Sequence, residues 1–184
     1  LRLGKHQLPI VYGMATDDSQ FYNNRIEKLT ALPDGTVLLG IAVDKLIDRD
    51  YHVVRIAPAN GFILDSDFID FNSGNDWIHG IAVGNAGELI CAGRSVDASH
   101  SQISGYRSDW FVLDIFHDYT QLAQQQQIKI AFDSAFQSGA AAVVVQSDGT
   151  IVCAGFTNTA TAGRTDAALI AVDYAAYTTG VETA

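Results

Sequence analysis

Three times along this 184-residue chain a glycine-bearing turn is followed by a short, nearly unbroken apolar run: "PDGTVLLG" at Pro33–Gly40, "NAGELICAG" at Asn85–Gly93 and "SDGTIVCAG" at Ser147–Gly155. Before each turn lies another apolar stretch, "RIEKLTAL", "WIHGIAVG" and "AAAVVVQ", and after each run an aspartate opens a third: Asp50 of "DYHVVRI", Asp109 of "DWFVLDI" and Asp166 of "DAALIAV". Further extended segments, "GFILDSDFIDF" and "QIKIAFDSAF", follow the first two of these. Each unit reads as four short strands recurring at about 60 residues. In the first full unit the strands are expected near 26–32, 36–42, 51–57 and 62–70.

Gly35, Gly87 and Gly149 supply the positive φ that tight hairpins need, so the first two strands of each unit should pair antiparallel. Runs such as "ELICAG", with little alternation, imply sheets covered on both faces. The fold class expected is all-β: β-propeller blades, four-stranded antiparallel sheets, about three repeats plus part of a preceding blade. A sandwich is the competing architecture, but it does not demand that one four-strand pattern recur. Arg2 of "LRL" matches Arg55 and Ile26 matches Ile78. Residues 1–24 therefore read as the end of a preceding blade, 25–72 as repeat one, 73–136 as repeat two and 137–184 as an incomplete repeat three, all within one propeller domain. Three repeats and a tail fall short of the four to eight blades that close a ring. Further blades from the same chain or from other subunits are expected to complete it.

At this point "SGNDWIHGIAVGNAGELICAGRS", Ser73–Ser95, followed by "SDWFVLDI", resembles the bacterial SBBP (seven-bladed β-propeller) repeat. "SDGTIVCAGFTN" and "TDAALIAVD" are similar to the same repeat and to the related delta-sixty repeats. The resemblance implies blade structure and a part in a large exported or surface bacterial protein: secreted, periplasmic or at the cell surface. It carries no catalytic residues to transfer. Ala167 and Ala168 stand where the family favours larger side chains, and the run Gln124–Gln127 has no counterpart there.

A formal charge of −10 with scattered Lys and Arg opposes a phosphate backbone, so no nucleic acid partner is expected. No apolar run is long enough for a membrane span, and the first residues lack the apolar core of a secretory signal. The chain does not begin with Met, so a processed or excised piece is expected. Cys91 and Cys153 fall at equivalent places in two repeats, without zinc-ligand spacing, and are expected as buried free thiols rather than a metal site or disulfide.

Chemistry-bearing positions are sparse. The sequences Arg49-Asp50, Arg107-Ser108-Asp109 and Arg164-Thr165-Asp166 could ring one rim and offer carboxylates to a cation or sugar; recurrence in every repeat favours turn-satisfying aspartates instead. Asp44, Asp48 and Asp50 of "DKLIDRD" have the carboxylates that attract calcium but not the spacing of an EF-hand loop. Among the five histidines, His52 and His79 read as strand packing residues, and no zincin, nucleophile-elbow, P-loop or dinucleotide motif occurs. The insertion "RSVDASHSQISGYRS" in repeat two, with His100, Gln102, Tyr106 and Arg107, is the binding candidate, for a protein or carbohydrate ligand, against the plain reading of a tolerated surface loop. No catalytic residue, metal or cofactor is assigned. A non-enzymatic scaffold or recognition module is the expected function; the alternative is a hydrolase or oxidoreductase whose site is assembled from several blades at a channel mouth.

Overall fold

The structure, a computed structural model, describes residues 23–44, 49–71, 75–96, 109–130, 137–158 and 165–174. Unit one comprises β1 (Asn23–Ala31), β2 (Val37–Asp44), β3 (Arg49–Ile56) and β4 (Ile63–Ile69). Unit two comprises β5 (Asn75–Val83), β6 (Leu89–Val96), β7 (Asp109–Asp118) and β8 (Gln121–Ile130). Unit three comprises β9 (Ser138–Val145), β10 (Thr150–Asn158) and β11 (Thr165–Asp173). The all-β architecture of repeated antiparallel sheets that the sequence predicts is the one observed, with the four strands of unit one where the apolar runs put them.

Within each unit sequential strands pair antiparallel. Among the described residues units one and two are linked by one parallel pairing, Arg49 opposite Asn75, whereas unit three forms its own sheet and none of the sheets closes on itself. The recurrent turns have one cause: Gly35, Gly87 and Gly149 take φ of +82°, +97° and +88°, a region costly for residues with a Cβ. Asp34 and Asp148 lock their turns by accepting the N–H of Thr36 and Thr150 two residues on.

A β-bulge falls at the same place in all three units. Ile26, Ile78 and Ala140 pair with Ile41, Gly93 and Gly155; one residue is then skipped before Lys28, Gly80 and Ala142 resume the ladder. The match of Ile26 with Ile78 is thus structural. In units two and three the residue opposite the bulge must be small. A Cβ on Gly93 would lie 1.7 Å from the Trp77 carbonyl oxygen, and one on Gly155 2.0 Å from that of Gly139.

The bulge and ladder fix which side chains face which neighbour. Leu38, Tyr51, Val53, Ile69 and Phe71 of unit one pack against Ile78, Leu89, Cys91, Val112 and Phe116 of unit two. From the other face of unit two, Ile90, Ala92, Leu113 and Ile115 pack against Ala140, Val143, Ile151 and Cys153 of unit three. Unit two is therefore buried on both faces, which is why its central strands read as unbroken apolar runs. Leu39, Ile41, Val43 and Val54 form a separate buried cluster on the opposite face of unit one.

One sequence equivalence is corrected by the register. Asp50 and Asp166 stand opposite Val43 and Thr157, each eight residues beyond its turn glycine, but Asp109 stands opposite Val96, one step further along. The structural counterpart of Asp50 in unit two is Trp110, opposite Ser95. The insertion before β7 uncouples the acid from the ladder position that it marks in the other units.

Candidate carboxylate site between units one and two

The pairing of Arg49 with Asn75 brings the next residues of both strands, Asp50 and Asp76, to one place. Asp70 joins them through the β3–β4 ladder. Tyr51 lies opposite Ile69, so the next step outward sets Asp70 beside Asp50. One carboxylate oxygen from each of Asp50, Asp70 and Asp76 lies within 4.8 Å of the others. Asp50 and Asp76 are buried, at 1% and 0% exposure, while Asp70 is exposed and opens the cluster to solvent.

The surroundings hold these groups in place. Asp76 Oδ2 accepts the Phe71 N–H at 2.9 Å, and Ser95 Oγ donates to the Phe71 carbonyl at 3.0 Å. The carbonyl of Asp70 accepts from Gln127 Nε2 at 3.1 Å, so Gln127 of β8 pins the end of β4. Alongside, Trp77 lies under two guanidinium groups, Arg49 at 5.3 Å and Arg94 at 4.1 Å from its ring centre.

Burial is the main reason the Asp76 carboxyl is pushed up to about 7; the polar groups of Ser95 and Phe71 beside it oppose this, and the charges of Asp70 and Asp50 add to it. Its second oxygen, Oδ1, is buried without a hydrogen-bond partner. Chemically, such a cluster holds either a proton or a hard cation, because oxygen ligands of this kind suit Ca²⁺, Mg²⁺ or Mn²⁺ rather than a soft metal.

Further along the same seam, Asp114 is buried opposite Cys91 and is raised to about 8, chiefly by burial and then by Asp67 and Asp76. Asp65 Oδ2 accepts the Leu122 N–H at 2.7 Å, which ties β4 to β8. At the other end of the strands a cavity of about 270 Å³ lies between the turns of units two and three, lined among others by Glu88, Asp148, Asp173 and Tyr174. Tyr174 Oη lies 2.6 Å from His117 Nδ1 beside it.

The residues singled out from sequence fare unevenly. His100, Gln102, Tyr106 and Arg107 of the insertion lie outside the described residues, as do Asp48, Arg107 and Arg164 of the acid and Arg-Asp patterns and residues 1–22 of the expected preceding-blade segment 1–24, whose Asn23 and Asn24 open β1 of unit one. Of the acids of "DKLIDRD", Asp48 lies outside the described residues, Asp44 bonds Arg49, and Asp50 lies with Asp70 and Asp76. Arg49 pairs with Asp44. His52 is buried; it stacks on Phe68 at 4.1 Å, and burial lowers it to about 4. His79 sits at the bulge of β5, partly buried. Cys91 and Cys153 are free and buried, with both thiols pushed up by loss of solvent, Cys153 to about 12.

Asp70 and Asp76 were not singled out from sequence. The signal was present in "DFIDFNSGNDW", where Asp70 and Asp76 stand six residues apart between the strands of successive units, but only the inter-unit pairing shows that they meet Asp50. No family model matches the chain, and no curated protein matches it.

Proposed function

We propose that this chain is a set of β-propeller blades serving as a non-enzymatic scaffold and recognition module of an exported or surface bacterial protein, its ring completed by further blades. The observation that carries this reading is the outward face of unit three. By register, Leu169 occupies the position of Val53 in unit one and Leu113 in unit two, each buried to 0% exposure by the next unit. Leu169 is 74% exposed, and Val144 of β9, on the same face of the sheet, 57%. A face shaped like two buried ones is a place for another unit of the same kind. The first strands of successive units, β1 with β5 and β5 with β9, lie against one another, as the inner strands of blades do. The likeness of Ser73–Ser95 to SBBP-type repeats supports the same reading, with the insertion 94–108 as its recognition loop.

Sedimentation of the chain tests it. The expected outcome is concentration-dependent self-association that Leu169→Glu abolishes while the melting temperature is retained, since an exposed substitution costs within about 0.5 kcal/mol. A chain that stays monomeric at all concentrations, or one whose association ignores Leu169→Glu, overturns the reading.

A further inference from the structure

We propose that Asp50, Asp70 and Asp76 form a calcium site that ties unit one to unit two where their sheets meet. This does not rest on the scaffold reading. Three strands deliver the ligands, so the site has no linear motif: Asp50 lies one residue into β3, Asp70 follows β4 and Asp76 lies one residue into β5. Their oxygens fall within 4.8 Å of one another, which is the greatest separation of two ligands each roughly 2.4 Å from a common Ca²⁺. An independent sign of a ligand is Asp76 Oδ1, an oxygen of a carboxylate at 0% exposure that has no hydrogen-bond partner while its other oxygen is held by Phe71. A buried carboxylate oxygen left unmatched is costly, and a cation coordinated there removes that cost.

The choice of calcium follows from the mixture of burial and access. Three carboxylates provide three to six oxygens according to whether each binds through one atom or two, and the exposed side at Asp70 admits water to complete a shell of six to eight. Mg²⁺ keeps several of its own waters and demands a near-ideal octahedron, for which two buried carboxylates leave little room. Trp77 follows Asp76 in β5 and its ring is also approached by Arg49, the neighbour of Asp50, so an indole lies close enough to report on a bound lanthanide.

The test uses the whole chain stripped with a chelator. Tb³⁺ should give luminescence sensitised through tryptophan with one ion per chain, and Ca²⁺ should displace it. Calcium at a hundredfold excess over Kd should raise Tm by roughly 5–10 °C, and Mg²⁺ at the same concentration by less. Asp70→Asn alters an exposed side chain and should leave the chelated protein folded, yet abolish both the luminescence and the calcium-dependent Tm rise; Asp76→Asn should do the same, and Asp148→Asn, in the exposed turn of unit three, should do neither. Absence of any Tm rise up to about 10 mM Ca²⁺, well beyond weak extracellular sites, overturns the proposal. So does a calcium response that survives both Asp70→Asn and Asp76→Asn, or a magnesium response as large as that of calcium.

Discussion

Asp114 projects from the middle of β7 toward unit one, opposite Cys91 in its own sheet and within the fields of Asp67 and Asp76. Removing a carboxylate from water favours its neutral form, and the two acidic neighbours act in the same direction. Its folded value of about 8 stands above the unfolded 3.8, so the native state binds the extra proton between those limits. The stability this contributes is fully present below the unfolded value and is lost as pH rises through about 8. In chelated buffer, urea denaturation should show the chain losing about 1–3 kcal/mol across that window, an amount discounted from the full shift. Asp114→Asn keeps the shape without the charge. It should raise stability above the upper limit and shallow the pH profile, leaving the part due to Asp76, which is raised for the same leading reason. A variant profile as steep as the wild type would show that Asp114 stays ionised in the fold.

At the scale of elements, the seams between units depend on how closely the first strands approach. A Cβ on Gly80 of β5 would lie 2.9 Å from the Val143 backbone nitrogen and 3.1 Å from Ala142 of β9. Backbone cannot swing aside as a side-chain tip can, so Gly80→Val should separate units two and three and cost about 1–3 kcal/mol by denaturant unfolding. Ala142 holds the equivalent bulge position in unit three but is exposed, and Ala142→Val should change stability by no more than about 0.5 kcal/mol. Equal costs at both positions would mean that the seam does not set the requirement for glycine. The same contrast explains what the sequence disclosed. Turn glycines and apolar runs are local, so Gly35, Gly87 and Gly149 with their flanking strands announced the repeated hairpins. The carboxylate site is not local: Asp50 drew notice as a recurring acid, but its partners are set by one parallel pairing and one ladder step between different strands. Asp109 misled for a related reason, because a residue type can slip one place along a ladder while the eye still aligns it.

For the molecule as a whole, the described units differ in how completely they are held. β6 and β7 are hydrogen-bonded on both edges and lie in the sheet that is covered on both faces. β11 pairs with β10 alone among the described residues, and its outward Leu169 is exposed. Opening β11 uncovers Ile170 and Val172 at the margin of one core and breaks one ladder, whereas opening β6 or β7 dismantles both inter-unit cores, so the two should exchange by different routes. Amide hydrogen exchange on dilute protein should find β11 at least about 100-fold faster than β6 and β7, with the latter limited by global unfolding. Comparable protection of β11 and β6 would mean that the stack opens as one body. Concentration then separates intrinsic from acquired order. If another unit occupies the outward face, β11 exchange slows as the chain is concentrated while β6 and β7 stay unchanged, and in Leu169→Glu that slowing disappears.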